Sequence, residues 1–295
     1  MQSFDYQKVH TLKDALDAAS ASKGTSVFMA GGTDLLVQIK EGKIQPKRVI
    51  DVKGIREMDG LTASEDEFSV GALTSIRTLE KSPLVVKRVP LLAQAGAKLG
   101  SVQVRQRATI GGNLCNASPS AETAPALLAL DAKAEICGRA SSRVIDLAEF
   151  FVGPGSTILD GGEMLTGLRI RLNRNRGGSV YYKLSTRRAM DLAFVGVAIL
   201  LELNEAGPIS KARIALGAVA PTPIRVASAE KLLEGRMFSL EAARASAELA
   251  ARSCSPISDQ RASAWYRGEM VRELCYRGLV ASYRQATTFD GGRNG

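Results

Sequence analysis

The sequence predicts an α+β protein made of three successive units, and three observations carry that prediction. Residues 11–52 run helix, strand, helix, strand, the pattern of a small β-α-β unit. From about residue 130 the pattern turns to short strands separated by Gly/Pro-rich joints. Beyond residue 178, three strand-like runs at hairpin spacing precede three helical runs. The expected boundaries are 1–56 for an N-terminal β-α-β lobe, 57–177 for a second α+β lobe, 178–287 for a C-terminal unit and 288–295 for a frayed tail.

Each element has a local reason. "TLKDALDAASAS" (11–22) sets Leu12, Ala15, Leu16 and Ala19 on one helical face, with Thr11 as N-cap and Asp14 three residues on as a capping-box variant. "SVFMA" (26–30) reads as a buried strand; the segment after the following double glycine reads as a short helix with Leu36 and Ile39 inward, closed near Gly42, and "RVIDV" (48–52) as another strand. In the second unit "EFSVGALTSI" (67–76) opens a mixed stretch. "SIRTLEKSP" is a helix stopped by Pro83, and "VPLLAQAGAKLG" (89–100) a helix ending at Gly100. "KAEIC", "RVIDL" and "EMLTGLRIRL" read as strands, with "VGPGS" (152–156) as a joint. In the third unit "VYYKLS", "FVGVAILLEL" and "ARIALGAV" are strands and 227–235, 239–252 and 263–286 are helices. Tyr266, Met270 and Leu274 form a stripe on the last helix, read as core.

Two stretches ask for more than packing. "FMAGGTDLLVQIK" (28–40) runs an apolar segment into two glycines, and "TIGGNLCNASPSAETAPALLALDA" (109–132) repeats the device about 80 residues later, each followed by a helix-like run. Neither is G-x-G-x-x-G, and no G-x-x-x-x-G-K-[ST] occurs. Glycine nevertheless lets main-chain N–H groups approach a phosphate, a following helix N-terminus adds favourable field, and Thr33 and Asn113 can add side-chain bonds. Asp34 suits capping of the helix behind it better than phosphate contact, because like charges repel. From the residues alone, an anion cradle held at two points and a pair of tight turns both remain open.

Composition removes several other chemistries. With 295 residues, 45% of them apolar, the chain can bury real cores. No apolar run approaches the ~20 residues of a membrane helix, and "MQSFDYQKVH" lacks signal-peptide order, so no membrane span and a cytoplasmic location are expected. Cys115, Cys137, Cys254 and Cys275 are far apart, which builds neither a zinc site nor a cluster from neighbours. His10, the only histidine, is expected at the surface, and its solitude removes most His-dependent triads and metal sites. The net charge of +9 is spread; its densest cluster, "RLNRNRGG" (171–178), has no interleaved aromatics and reads as a solvated hairpin tip, with no nucleic acid implied.

Taken together, "AGGTDLLVQIK" and "TIGGNLCNASPSAETAPALLALDA" resemble the FAD-binding medium subunit of the molybdenum hydroxylases, the xanthine dehydrogenase and carbon monoxide dehydrogenase group. The resemblance covers essentially the whole chain, since "YYKLSTRRAMDLAFVGVAILLEL" (181–203) looks like the opening of that family's C-terminal domain. It implies a two-lobed FAD-binding domain of the vanillyl-alcohol-oxidase (PCMH) type, followed by a domain with a three-stranded antiparallel sheet and a helix bundle. It also implies an oxidoreductase complex, as a dimer of heterotrimers. In it a small iron–sulfur subunit with [2Fe-2S] clusters feeds electrons to FAD on this chain, a large subunit holds molybdopterin and the substrate, and NAD or a carrier accepts the electrons. No acid or base is then required of this chain, so no catalytic residue is named.

Position by position, the resemblance assigns FAD contacts to Ala30, Gly31, Gly32, Thr33, Asp34 and Leu35 in the first loop and to Thr109, Ile110, Gly111, Gly112 and Asn113 in the second. It places Glu122 against the flavin's sugar-like portion, Leu99 and Leu165 beside the isoalloxazine, and Lys183 as a cation at its polar edge. Two positions depart from the family pattern: Glu122 stands for an Asp and has capping of the 120–129 helix as its alternative role, and Leu192 stands where some members carry an aromatic. Cys115, beside the second loop, is read as a buried small hydrophobe and not as a covalent flavin link. A self-contained flavin oxidoreductase of the same fold and a non-catalytic binding module are the alternatives.

Overall fold

A computed structural model describes residues 3–172, 176–187 and 189–288. The first sheet is parallel, in the order β1 (Asp5–Lys8), β3 (Arg48–Asp51), β2 (Ser26–Met29), with α1 (Leu12–Ala21) and α2 (Leu35–Lys40) as crossovers. Thr11 caps α1 as expected, its Oγ1 accepting from the Asp14 N–H at 3.1 Å. β1 was not legible in the sequence: it is an edge strand with mostly exposed side chains, so no apolar alternation marks it. Ile39 turns inward from α2, but Leu36 is 39% exposed, contrary to expectation. A helix of under two turns buries only one narrow stripe, and here Leu35 and Ile39, four apart, occupy it.

The second lobe is built on an antiparallel sheet in the order β4 (Leu61–Ala63), β5 (Glu67–Gly71), β10 (Met164–Arg171), β6 (Lys133–Cys137), β7 (Ser142–Asp146). The last strand in sequence thus lies at the centre. Between β5 and β6 come α3 (Ile76–Lys81), α4 (Pro83–Arg88), α5 (Pro90–Ala97), α6 (Val102–Arg107), α7 (Ile110–Cys115) and α8 (Thr123–Ala129). Pro83 does end α3, and as N1 residue it also starts α4. The hairpin β8 (Phe151–Gly153) and β9 (Ser156–Thr157) carries the joint at 152–156. One continuous core joins both lobes, running from Ala15 and Leu16 of α1 through Ile50 of β3 to Phe68, Leu127 and Leu168.

The C-terminal unit is an antiparallel sheet of β11 (Arg176–Leu184), β12 (Val195–Leu203) and β13 (Ile209–Gly217), to which β14 (Ile224–Arg225) adds a two-residue fourth strand. α9 (Ala227–Leu233), α10 (Leu240–Arg252) and α11 (Ala264–Thr288) follow. β12 is buried along nearly its whole length because α11 covers one face and α8 of the second lobe the other. The α+β class expected from the pattern holds. On α11 the buried stripe is Arg267, Val271, Cys275, Leu279 and Ala286, one position round from the expected one. Tyr266 is 39% exposed, and Met270 and Leu274 flank the core without centring it. Arg267 is the reason: its guanidinium is buried on the carbonyls of Phe194 and Ala218 and on Asp259, a set of partners that periodicity does not register. The tip of the expected basic hairpin (173–175) and the expected tail from 289 lie outside the described residues.

Candidate functional site

The first glycine loop leaves β2 and turns into α2 within five residues. Gly32 has φ +73°, a left-handed conformation that glycine adopts without steric cost. Gly31 is required for another reason: a Cβ there would sit inside the Arg107 carbonyl group, 2.8 Å from its carbon and 3.0 Å from Ala108 Cα. This loop therefore packs backbone to backbone on the residues that lead into the second loop. Among the described residues, no hydrogen bond engages the N–H groups of Gly31, Gly32, Thr33 or Asp34. Asp34 stands at the N-cap position of α2 but its side chain makes no capping bond, which corrects that expectation. Burial pushes its carboxyl up, opposed by a hydrogen bond from Thr33.

The second loop looks alike in sequence and differs in structure. Thr109 caps α7, its Oγ1 accepting from Gly112 N–H at 3.0 Å. Ile110 N–H donates to Thr74 O at 3.0 Å, Gly111 N–H to Ala72 O at 2.8 Å and Asn113 N–H to Thr109 O at 3.0 Å. The glycine at 111 lets α7 lie against Ala72, whose Cβ and carbonyl oxygen are each 2.7 Å from where a Cβ would be. These donors face inward, so free main-chain donors gather on the first loop, and the second contributes the Thr109 hydroxyl and the Asn113 amide. Asn113 Oδ1 is held by Thr123 Oγ1 at 2.5 Å.

Both loops open on one cleft of about 630 Å³. Of the fifteen residues named from sequence, all but Ile110 and Lys183 line it. Ile110 is fully buried behind the loop. Lys183 lies behind the wall, its side chain 6% exposed, with Nζ donating to Glu122 Oε1 at 2.7 Å, Asp191 O at 2.7 Å and Lys98 O at 3.0 Å. Three acceptors use the three protons of an ammonium, so the cation holds the wall and does not reach the cleft directly. Glu122 makes no capping bond to α8, which removes that alternative; burial pushes its carboxyl up, with Lys183 opposing. Asp191 organises the turn in front of β12, accepting from Thr186 Oγ1 at 2.6 Å, Arg187 N at 2.8 Å and Leu192 N at 3.0 Å.

Sequence reasoning missed Phe28, Val52, Met58, Leu73, Leu159 and Met164, which also line the cleft. They are ordinary apolar residues of strands and turns, and no local pattern marks them. Cys115 corrects another expectation: it is exposed, not buried. Its exposure is into the concave cleft, with protein around its other sides, so burial still pushes the thiol up to about 12. Among the described residues, the charged side chains lining the cleft are those of Asp34, Glu122, Glu163 and Asp191, with no Lys, Arg or His. Among the described residues, no cluster of His, Cys, Asp and Glu could hold a metal ion, and no helix is long and apolar enough to cross a membrane.

Residues 2–171 match the family described as the FAD binding domain in molybdopterin dehydrogenase, and residues 180–282 match the CO dehydrogenase flavoprotein C-terminal domain. The chain belongs to the FAD-binding subunits of the molybdopterin dehydrogenases. These flavoprotein subunits include a putative xanthine dehydrogenase FAD-binding subunit of Escherichia coli, 31% identical over 92% of this chain and 94% of its own length. The nicotine 6-hydroxylase medium subunit of Paenarthrobacter nicotinovorans is 34% identical over 93% and 95%. Among solved structures, carbon monoxide dehydrogenase from Hydrogenophaga pseudoflava superposes with a TM-score of 0.93 at 31% identity, covering 96% of this chain and 98% of the other. The flavoprotein fold thus extends over both units of the chain, and FAD is the cofactor of its N-terminal domain.

Proposed function

We propose that the 630 Å³ cleft holds FAD with its pyrophosphate on the N–H groups of residues 31–34. On this reading the chain is the electron-transfer subunit of a cytoplasmic molybdenum-containing hydroxylase, taking electrons from [2Fe-2S] clusters of a small subunit and delivering them to NAD or another acceptor. A large molybdopterin subunit acts on the substrate, in a dimer of heterotrimers. The observation that carries the site is the set of unengaged main-chain donors on the first loop, beside a second loop whose N–H groups at 110–113 are all paired within the protein. Among the described residues no Lys, Arg or His lines the cleft, so main-chain donors are the groups that would hold a dianionic pyrophosphate there. FAD supplies the exchange between one-electron and two-electron carriers. What this chain contributes is placement: the Gly31–Asp34 donors, the Thr109 and Asn113 side chains, apolar walls at Leu99 and Leu165, and Glu122 fixed by Lys183.

The relatives are named for xanthine, nicotine and carbon monoxide, three unlike substrates on one kind of subunit. That pattern favours substrate chemistry in another chain. The test is the visible spectrum of the complex that copurifies with this chain from its own host. Flavin bands over broad iron–sulfur absorption are expected. Flavin bands alone, from a complex that oxidises substrate unaided, would point to a self-contained flavin oxidoreductase, and a colourless sample that takes up no added FAD would point to a binding module.

A further inference from the structure

Three consecutive carbonyls at the end of α5 are each bonded by a different element. Lys98 O receives Lys183 Nζ of β11 at 3.0 Å, Leu99 O receives Arg105 Nη1 of α6 at 2.8 Å, and Gly100 O receives Met190 N from the turn before β12 at 3.2 Å. Leu99 and Gly100 line the cleft, so this turn is where the second lobe and the C-terminal unit meet at its wall. Gly100 has φ +49°, the left-handed residue that ends the helix and swings its last carbonyls outward. Of the three donors, Arg105 alone belongs to the FAD-binding domain, and it is 8% exposed.

Arg105 is held from the other side as well. Its Nε donates to Glu80 Oε2 at 2.7 Å, and Glu80 is fixed by Arg77 Nη1 at 2.9 Å, so α3, α6 and the turn after α5 share one buried guanidinium. A planar guanidinium can serve a carboxylate and a carbonyl at a fixed angle, which an ammonium cannot. Two residues beyond Arg105 is the Arg107 carbonyl on which Gly31 packs. The same short helix thus sets the height of the Leu99 wall and the seat of the first glycine loop.

We infer that Arg105 is a positioning residue for the cofactor cleft: through Leu99 O and Glu80 it fixes the wall and the loop seat at once. This rests on the reading that FAD occupies this cleft. It assigns a role in cofactor placement to a residue that touches neither the cleft nor the cofactor, since Arg105 does not line the cleft.

The test compares Arg105→Lys and Arg105→Met with Arg77→Met, which removes the other arginine partner of Glu80 without touching the turn. The full chain is stripped of flavin and titrated with FAD, following flavin fluorescence and visible circular dichroism, and the thermal midpoint of each stripped protein is measured beside it. Arg105→Lys keeps a charge near Glu80 and loses the fixed geometry that serves Glu80 and Leu99 O together; FAD affinity is expected to fall about tenfold. The bound-flavin dichroism should change, and the thermal midpoint should stay near that of Arg77→Met. Arg105→Met is expected to lose more affinity, and if it does not fold, Arg105→Lys decides alone. Unchanged affinity and dichroism in Arg105→Lys overturn the inference, as does an equal loss in Arg77→Met, which would make the Glu80 pair a purely structural brace. A wild-type chain that takes up no FAD would instead overturn the cofactor site itself.

Discussion

Gly31 and Gly32 are adjacent, and physics separates their roles. A methyl at 31 meets the backbone of Arg107 and Ala108, which cannot step aside without moving α6. At 32 it meets only the ends of Leu36 and Met29, each at 3.3 Å, and the cost is that of a left-handed residue, about 1 kcal/mol. Gly31→Ala is therefore expected to lower FAD affinity roughly 5- to 150-fold, from an overpacking cost of roughly 1–3 kcal/mol, while Gly32→Ala loses less. Flavin per chain after gel filtration, with far-UV dichroism to confirm folding, measures both; equal retention would remove the loop contact from the account. Glu122 carries a pH signature. Burial raises its carboxyl above the ordinary 4.5, so the folded state binds that proton more readily than the unfolded one. Its contribution is fully present below the ordinary value and is lost as pH rises through the raised one. Glu122→Gln should flatten this part of the thermal midpoint against pH in flavin-free protein. The flattening will be partial, since Asp34 is raised in the same direction.

At the scale of elements, the junction between α8, β13 and β14 shows how charge joins units that apolar packing brings together. Asp131, just after α8, has φ +50° and accepts from Lys211 at 2.8 Å, Arg213 at 3.0 Å and Arg225 at 2.5 Å. Three cations converging on one carboxylate repel one another if it is removed. Asp131→Asn is expected to cost about 1 to 2 kcal/mol, more than an isolated surface pair, discounted because the site is part-exposed. Urea denaturation at neutral pH checks it, with no change as the contradicting result. Elements with strong periodicity or caps were legible in sequence: α1 by Thr11, α10 and α11 by their repeats, β12 by its apolar run. Those that depend on neighbours were not. α4, α6 and α7 have six residues each, too short for a period to show without the closing Gly42 or Pro83 that marked the equally short α2 and α3, and β1 earns its place only by pairing with β3.

For the whole molecule, the glycine motifs identified where the site lies but not how its halves divide the work. "AGGT" and "TIGGN" read as twins, yet only the first leaves its N–H groups free, because Thr74 and Ala72, more than thirty residues earlier in the chain, take the Ile110 and Gly111 donors of the second and Thr109 takes those of Gly112 and Asn113. The placement of β10 between β5 and β6, which closes the second lobe around the cleft, has no local signal either. In contrast, the overall charge of +9 says nothing of the site, where the charged side chains among the described residues are all carboxylates. On the proposed function, this cleft grips a whole dinucleotide by its pyrophosphate. The most direct test of this is titration of flavin-free chain with FAD, with FMN, and with FAD in the presence of ADP. Tight FAD binding, much weaker FMN binding and competition by ADP are predicted, because FMN lacks the pyrophosphate and ADP carries it; FMN binding as tight as FAD, with ADP without effect, would contradict the account.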